Sequence, residues 1–276
     1  MPTDNKQKRI VYFISDRTSL TAETYGRSLL AQFPHQHFKY KRLSFVDTKA
    51  QALTACDIIN NTVTQTGCQA IVFSTLVDPD IQTIIEQSNA YVIGLINTFI
   101  GPLESFLGEE SAHTLGGSHQ IFKNTDYQKR LDAIDYAMSC DDGVRPDRYD
   151  EAEVILTGVS RSGKTPVSLS LAISFAVKVA NYPITEHELK SERLPECLLK
   201  HKDRLIGLTI KPRQLSSIRL NRRTSREYSS LAVCQQEVKA VESMFTYDRI
   251  PFFDSTESSI EELAGHVMKI LGLNRV

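Results

Sequence analysis

No uncharged apolar stretch in this sequence reaches the about 18 residues that a membrane-spanning helix requires, and none of its five cysteines forms a C-x-x-C pair. The first absence argues against a membrane partner. The second, with an odd number of scattered thiols at Cys56, Cys68, Cys140, Cys197 and Cys234, argues against a disulfide framework or a zinc ribbon. A reducing cytoplasm is the expected home. Charge excess is lacking too: 32 Lys and Arg balance 33 Asp and Glu, for a formal net charge of −1. No global field then draws the chain onto nucleic acid or a lipid surface, so any such role would fall to local patches. The start, Met1 to Arg9, is polar and has no apolar core of the kind a secretory signal carries. Internal repeats and low-complexity segments are also missing.

What is present reads as globular. A chain of 276 residues with 41% hydrophobic and 24% charged residues can form two ordinary domains or one large one. Ile10–Ile14, Lys39–Val46, Ala70–Ser74 and Tyr91–Ile96 are strand-like runs. Helical patterns over Leu20–Phe33, Lys49–Thr64 and Pro79–Gln87 separate them. That alternation predicts an α/β region with a mostly parallel sheet. Pro102–Phe122 reads as a long loop with a short helix, and Tyr127–Cys140 as an amphipathic helix. The turn-rich tract Asp141-Asp142-Gly143 and Arg145-Pro146-Asp147 predicts a boundary, with an N-terminal α/β domain over 1–148 and a nucleotide-binding domain over 149–276.

The second domain opens on the strongest motif in the chain. Gly158, Val159, Ser160, Arg161, Ser162, Gly163, Lys164 and Thr165 match G-x-x-x-x-G-K-[ST], with the apolar strand Val154-Ile155-Leu156 before and a helix-compatible run after. In such a loop, backbone N–H groups and a helix N-terminus cradle a di- or triphosphate. Lys164 would neutralise the outer phosphates, the Thr165 hydroxyl would ligate Mg²⁺, and Arg161 would contact phosphate. The helix is expected to continue through Val179 until Asn181-Tyr182-Pro183 stops it. Leu205–Ile210 and Phe252–Asp254 read as further strands, and Ile260–Leu271 as a last amphipathic helix.

Phosphoryl transfer also needs a carboxylate, as metal ligand or proton acceptor. Asp254 and Asp16, each closing a strand, are the candidates for orienting the acceptor hydroxyl, with Asp141 and Asp142 as rivals. Arg213, Arg219, Arg222, Arg223 and Arg226 form either a lid over phosphate or a solvated, partner-docking face. His113 and His119 lack a third partner at metal-ligand spacing and read as loop histidines.

These tracts together also carry a family resemblance. Through Ile14–Glu23, Ala133–Tyr136, Asp141–Gly143, Gly158–Pro166, Ala180–Pro183, Gly207–Ile210 and Asp254–Thr256, the chain closely resembles the bacterial phosphoenolpyruvate synthase regulatory proteins. These stand with the pyruvate, phosphate dikinase regulatory proteins in one kinase/pyrophosphorylase family. The resemblance implies a cofactor and a chemistry: ADP as phosphoryl donor to a threonine of the target enzyme, with AMP released, and inorganic phosphate reversing the mark with pyrophosphate released. The threonine lies beside the target's catalytic histidine. Gly163 before Lys164 favours phosphoenolpyruvate synthase as the protein partner, since dikinase regulators tend to have Ser there. The chain departs from the family at Asp16-Arg17-Thr18-Ser19, where Asp-Gly-Thr-Gly is usual, and so loses two permissive glycines. A small-molecule kinase and a nucleotide-sensing module without catalysis are the competing readings, and homo-oligomerisation is left open.

Overall fold

The structure is a computed structural model and describes residues 8–113, 124–222, 225 and 227–273. It divides into two compact units, residues 1–121 and 122–276. In the first, β1 (Arg9–Ile14), β2 (Phe38–Leu43), β3 (Ile71–Ser74) and β4 (Tyr91–Gly94) form a parallel sheet in the order β2-β1-β3-β4. Helices α1 (Leu20–Leu30), α2 (Lys49–Thr66) and α3 (Pro79–Glu86) connect the strands. Alternation along β1 builds two cores at once. Val11 and Phe13 pack with Ala22, Leu30 and Phe73, whereas Tyr12 and Ile14 pack with Ala52, Ala55, Ile59 and Ile85. A strand apolar on both faces is what a parallel sheet covered on both sides demands. The strand expected over Tyr91–Ile96 stops at Gly94, and helix α4 (Leu95–Leu107) follows without a loop, carrying Pro102 inside it and ending at left-handed Gly108. This helix replaces the start of the long loop expected over Pro102–Phe122; a proline removes one N–H donor and does not by itself end a helix that continues to either side.

The second unit repeats the plan. Strands β5 (Val154–Gly158), β6 (Val179–Pro183), β7 (Leu205–Thr209) and β8 (Phe252–Asp254) form a parallel sheet in the order β6-β5-β7-β8. Around it lie α5 (Asn124–Ser139), α6 (Lys164–Phe175), α7 (Glu186–Ser191), α8 (Glu196–Leu199), α9 (Pro212–Asn221), α10 (Leu231–Asp248) and α11 (Ile260–Ile270). Val154 and Leu156 face α6 and α11 through Val167, Leu171, Leu263 and Val267, while Ile155 faces Val241, Met244 and Phe245 of α10. The α/β class expected for both parts is what the structure has. Within it, β6 corrects the expected long helix. Helix α6 ends at Phe175, Ala176 turns left-handed at φ 52°, Val177 is buried against the same core, and the chain enters the sheet beside β5 at Val179. Two β-branched residues two positions apart suit a strand better than a helix end.

The break between units falls near 121, ahead of the turn-rich tract at 141–147. Helix α5 belongs with the second unit because Ala133 and Ala137 meet Ala172 of α6 at close range, and Tyr136 is buried with its hydroxyl donating to Arg148 O at 2.7 Å. Among the described residues, no helix is long and apolar enough to cross a membrane, and the five cysteines are free thiols. Replacing Ala172 by Leu should overfill the α5–α6 contact and lower the unfolding free energy by about 1–3 kcal/mol in urea titration. Unchanged stability would mean that the two helices do not pack there.

Candidate functional site

Strand β5 runs into the loop at Gly158, whose φ of 148° and whose neighbour set the local shape. A Cβ there would lie 2.1 Å from Leu208 O on β7, so only glycine lets the strand turn at this place. Gly163, at φ 92°, caps α6, and Arg161 between them takes φ 77°, a left-handed conformation that costs a side-chain-bearing residue about 1–2 kcal/mol. Ser162 N–H donates to Val159 O at 3.2 Å. The N–H groups of Ser160, Arg161, Gly163, Lys164 and Thr165 have no acceptor among the described residues. A run of such donors at a helix N-terminus is an anion cradle.

Lys164 is buried, and its Nζ donates to Gly158 O at 3.1 Å and Val159 O at 2.8 Å. Burial pushes its amine down from 10.5 to about 8, partly opposed by the carboxylates of Asp142 and Asp141 and reinforced by the guanidinium groups of Arg161 and Arg219. Thr165 Oγ1 donates to both oxygens of Asp141, at 3.0 and 3.2 Å. Asn181 of β6 donates to Asp141 Oδ1 and, at 3.0 Å, to Thr165 Oγ1. One hydroxyl, one carboxylate and one amide thus converge at the first turn of α6. Asn181 Oδ1 is buried without a protein partner among the described residues, and so stands open to a further donor or cation.

The next residue points elsewhere. Asp142 has φ 51°, and this left-handed step separates its side chain from that of Asp141. Asp142 and Ser160 both line a cavity of about 1070 Å³ bounded by α7, α10 and the segment that holds Tyr228. Arg219 lines it too. This side chain is 1% exposed and is held by Glu237 Oε2 at 2.6 Å, Tyr228 O at 3.1 Å and Ser160 O at 3.3 Å.

The structure therefore gathers Gly158 through Thr165 in one loop and adds Asp141, Asp142, Asn181 and Arg219 to it. Asp254 is exposed at the end of β8, and its Oδ1 accepts from Thr256 N–H at 2.8 Å and from Thr256 Oγ1. The next residue, Ser255, approaches Gly163, so this turn lies beside the loop while the Asp254 carboxylate braces the turn. Asp16 is buried at the end of β1 in the first unit, where Oδ1 accepts from Ser15 Oγ at 3.1 Å. Arg213 and Arg222 are exposed, and Arg223 and Arg226 lie outside the described residues. His113 is exposed, His119 lies outside the described residues, and no three His, Cys, Asp or Glu side chains converge among those described. Asn181 was missed because it was read as a helix stop, and its place in a strand beside β5 is what aims it at Thr165. Arg219 was one arginine among five, with no local signal setting it apart.

The kinase/pyrophosphorylase family model matches residues 11–268. A relative from Hahella chejuensis is 41% identical over 97% of this chain and 98% of its own length, and one from Aromatoleum aromaticum is 45% identical over 97% of each. A third, from Pseudomonas aeruginosa, is 40% identical over 98% of each. All three bear the name "Putative phosphoenolpyruvate synthase regulatory protein".

The Lys164 amine gives a pH signature. Between about 8 and 10.5 the unfolded chain holds this proton and the folded chain does not, so wild-type stability gains with pH across that window relative to a variant lacking the group. Lys164→Met should therefore show its most favourable stability relative to wild type below pH 8, and should lose about 3 kcal/mol of that relative standing by pH 10.5. Urea unfolding of both proteins at several pH values measures it. A pH-independent difference would mean that the amine is not depressed.

Proposed function

Because this chain belongs to the kinase/pyrophosphorylase family, we propose that it regulates phosphoenolpyruvate synthase by ADP-dependent phosphorylation of a threonine and by phosphate-dependent removal of that mark. The observation that carries the proposal is the loop from Gly158 to Thr165, with backbone donors lacking protein acceptors, set beside a cavity large enough for a segment of another protein. The names of the relatives support the target enzyme, and Gly163 favours it over the dikinase.

The roles follow from position. The loop N–H groups would hold the β-phosphate of ADP. Lys164 now rests on the loop's own carbonyls, and a phosphate, as a charged acceptor, would draw its amine away from them. Arg161, exposed on the loop, would meet the phosphate from outside. Oxygen donors suit Mg²⁺, so Thr165 and Asp141 would hold that ion, with Asn181 fixing both; when bound, the ion would neutralise phosphate charge. Asp142 faces the cavity, and we assign it the proton that Asp254 and Asp16 were expected to take.

In the forward direction the threonine hydroxyl gives its proton to Asp142 and its oxygen bonds to the β-phosphorus. The bond from that phosphorus to the bridging oxygen breaks, and AMP leaves with the electron pair. In reverse, an oxygen of inorganic phosphate bonds to the phosphothreonine phosphorus, forming pyrophosphate, and the threonine oxygen leaves and recovers the proton from Asp142. One carboxylate thus serves as base in one direction and acid in the other.

The test is an assay with purified protein and phosphoenolpyruvate synthase. Target activity should fall with ADP and recover with phosphate as pyrophosphate appears. Asp142→Asn should lower kcat about 10²–10⁴-fold in both directions while ADP affinity holds. Undiminished turnover in that variant would remove Asp142 from the proton path. Phosphorylation of a small metabolite without the target would indicate a metabolite kinase, and ADP binding with no phosphorylated product would indicate a sensing module.

A further inference from the structure

Arg219 heads the fully buried side chains of the described residues by volume, and the reaction scheme above gives it no task. Its Nη2 donates to Ser160 O inside the phosphate loop, and it reaches there from α9, 59 positions later in the chain. The same group binds Glu237 of α10, and Nη1 binds Tyr228 O. The guanidinium also lies 3.8 Å from the centre of the Tyr228 ring. These attachments, on three parts of the chain, leave it little freedom.

The consequence lies in the peptide that Arg219 grips. The carbonyl of Ser160 and the N–H of Arg161 belong to one planar trans unit and point in opposite directions. Holding Ser160 O towards Arg219 therefore turns Arg161 N–H the other way, and that donor has no acceptor among the described residues. Were the peptide to flip, a carbonyl oxygen would replace an N–H in the cradle and repel an anion. Arg161 already sits in the left-handed region, a conformation that needs support from its surroundings.

Resting on the nucleotide reading above, we propose that Arg219 is a positioning residue that fixes the Ser160–Arg161 peptide with its N–H facing the phosphate. Arginine is required because a planar fork with five donors spans three acceptors at once, which the single ammonium of lysine does not. Glu237 and Tyr228 share in the task by holding the fork, so the segment leading into α10 bears on the competence of the loop.

The test pairs calorimetric titration of ADP and pyrophosphate with the NMR signal of the Arg161 amide. In the wild type, pyrophosphate should move that amide proton strongly downfield. In Arg219→Gln the shift should vanish and affinity for both ligands should fall about tenfold, with Arg219→Lys between. Should Arg219→Gln fail to fold, Glu237→Gln decides, since it leaves the guanidinium but removes its anionic partner; weaker binding with a reduced Arg161 shift is expected. A merely structural role would lower the melting temperature and leave the Arg161 shift intact, which overturns the proposal. A wild type that binds neither ligand would instead overturn the nucleotide reading itself.

Discussion

Five backbone N–H groups between Ser160 and Thr165 have no protein acceptor among the described residues, and a folded chain keeps such donors where something outside it accepts from them. Much of the second unit serves that arrangement. Gly158 permits the turn under Leu208 O, Gly163 starts α6, and the sheet order sets β6 and β7 on either side of β5. Lys164 meanwhile fills the loop's interior and satisfies two of its carbonyls. Its depressed pKa is the electrostatic counterpart: an amine buried among dipoles without a full countercharge keeps its proton less tightly than in water.

The adjacent pair Asp141 and Asp142 shows how one backbone angle divides labour. On a helix, two consecutive carboxylates would project only about 100° apart around the axis and share much of their environment. The left-handed step at Asp142 sends one towards Thr165 and Asn181 and leaves the other on the cavity wall. Both raise the Lys164 pKa, so the loop feels each of them despite their separate surroundings. The Gly143 that follows, also at positive φ, lies against the Tyr182 ring, which holds this turn to the end of β6.

Much of this was legible in the residues. The eight-residue loop motif located the site, and the apolar runs located seven of the eight strands, because buried parallel strands are continuous in β-branched and aromatic residues. What escaped was long-range. Val177 to Pro183 carried strand residues next to a strongly helical run, and only pairing with β5 decides which pattern prevails. Asp141, Asn181 and Arg219 stand 24, 16 and 55 positions from Thr165, Thr165 and Lys164 in sequence, and the sheet brings the first two onto one hydroxyl. The two compact units divide near 121, ahead of the turn signals at 141–147, which bend the chain within the second unit, where α5 packs against α6.

The most direct test of the central claim follows the donor's phosphorus. ADP labelled at its β-phosphate, incubated with the protein, Mg²⁺ and phosphoenolpyruvate synthase, should deliver the label to one threonine of the synthase and leave unlabelled AMP. Label that stays in the nucleotide, while the wild-type protein is folded and the synthase is active, would contradict it.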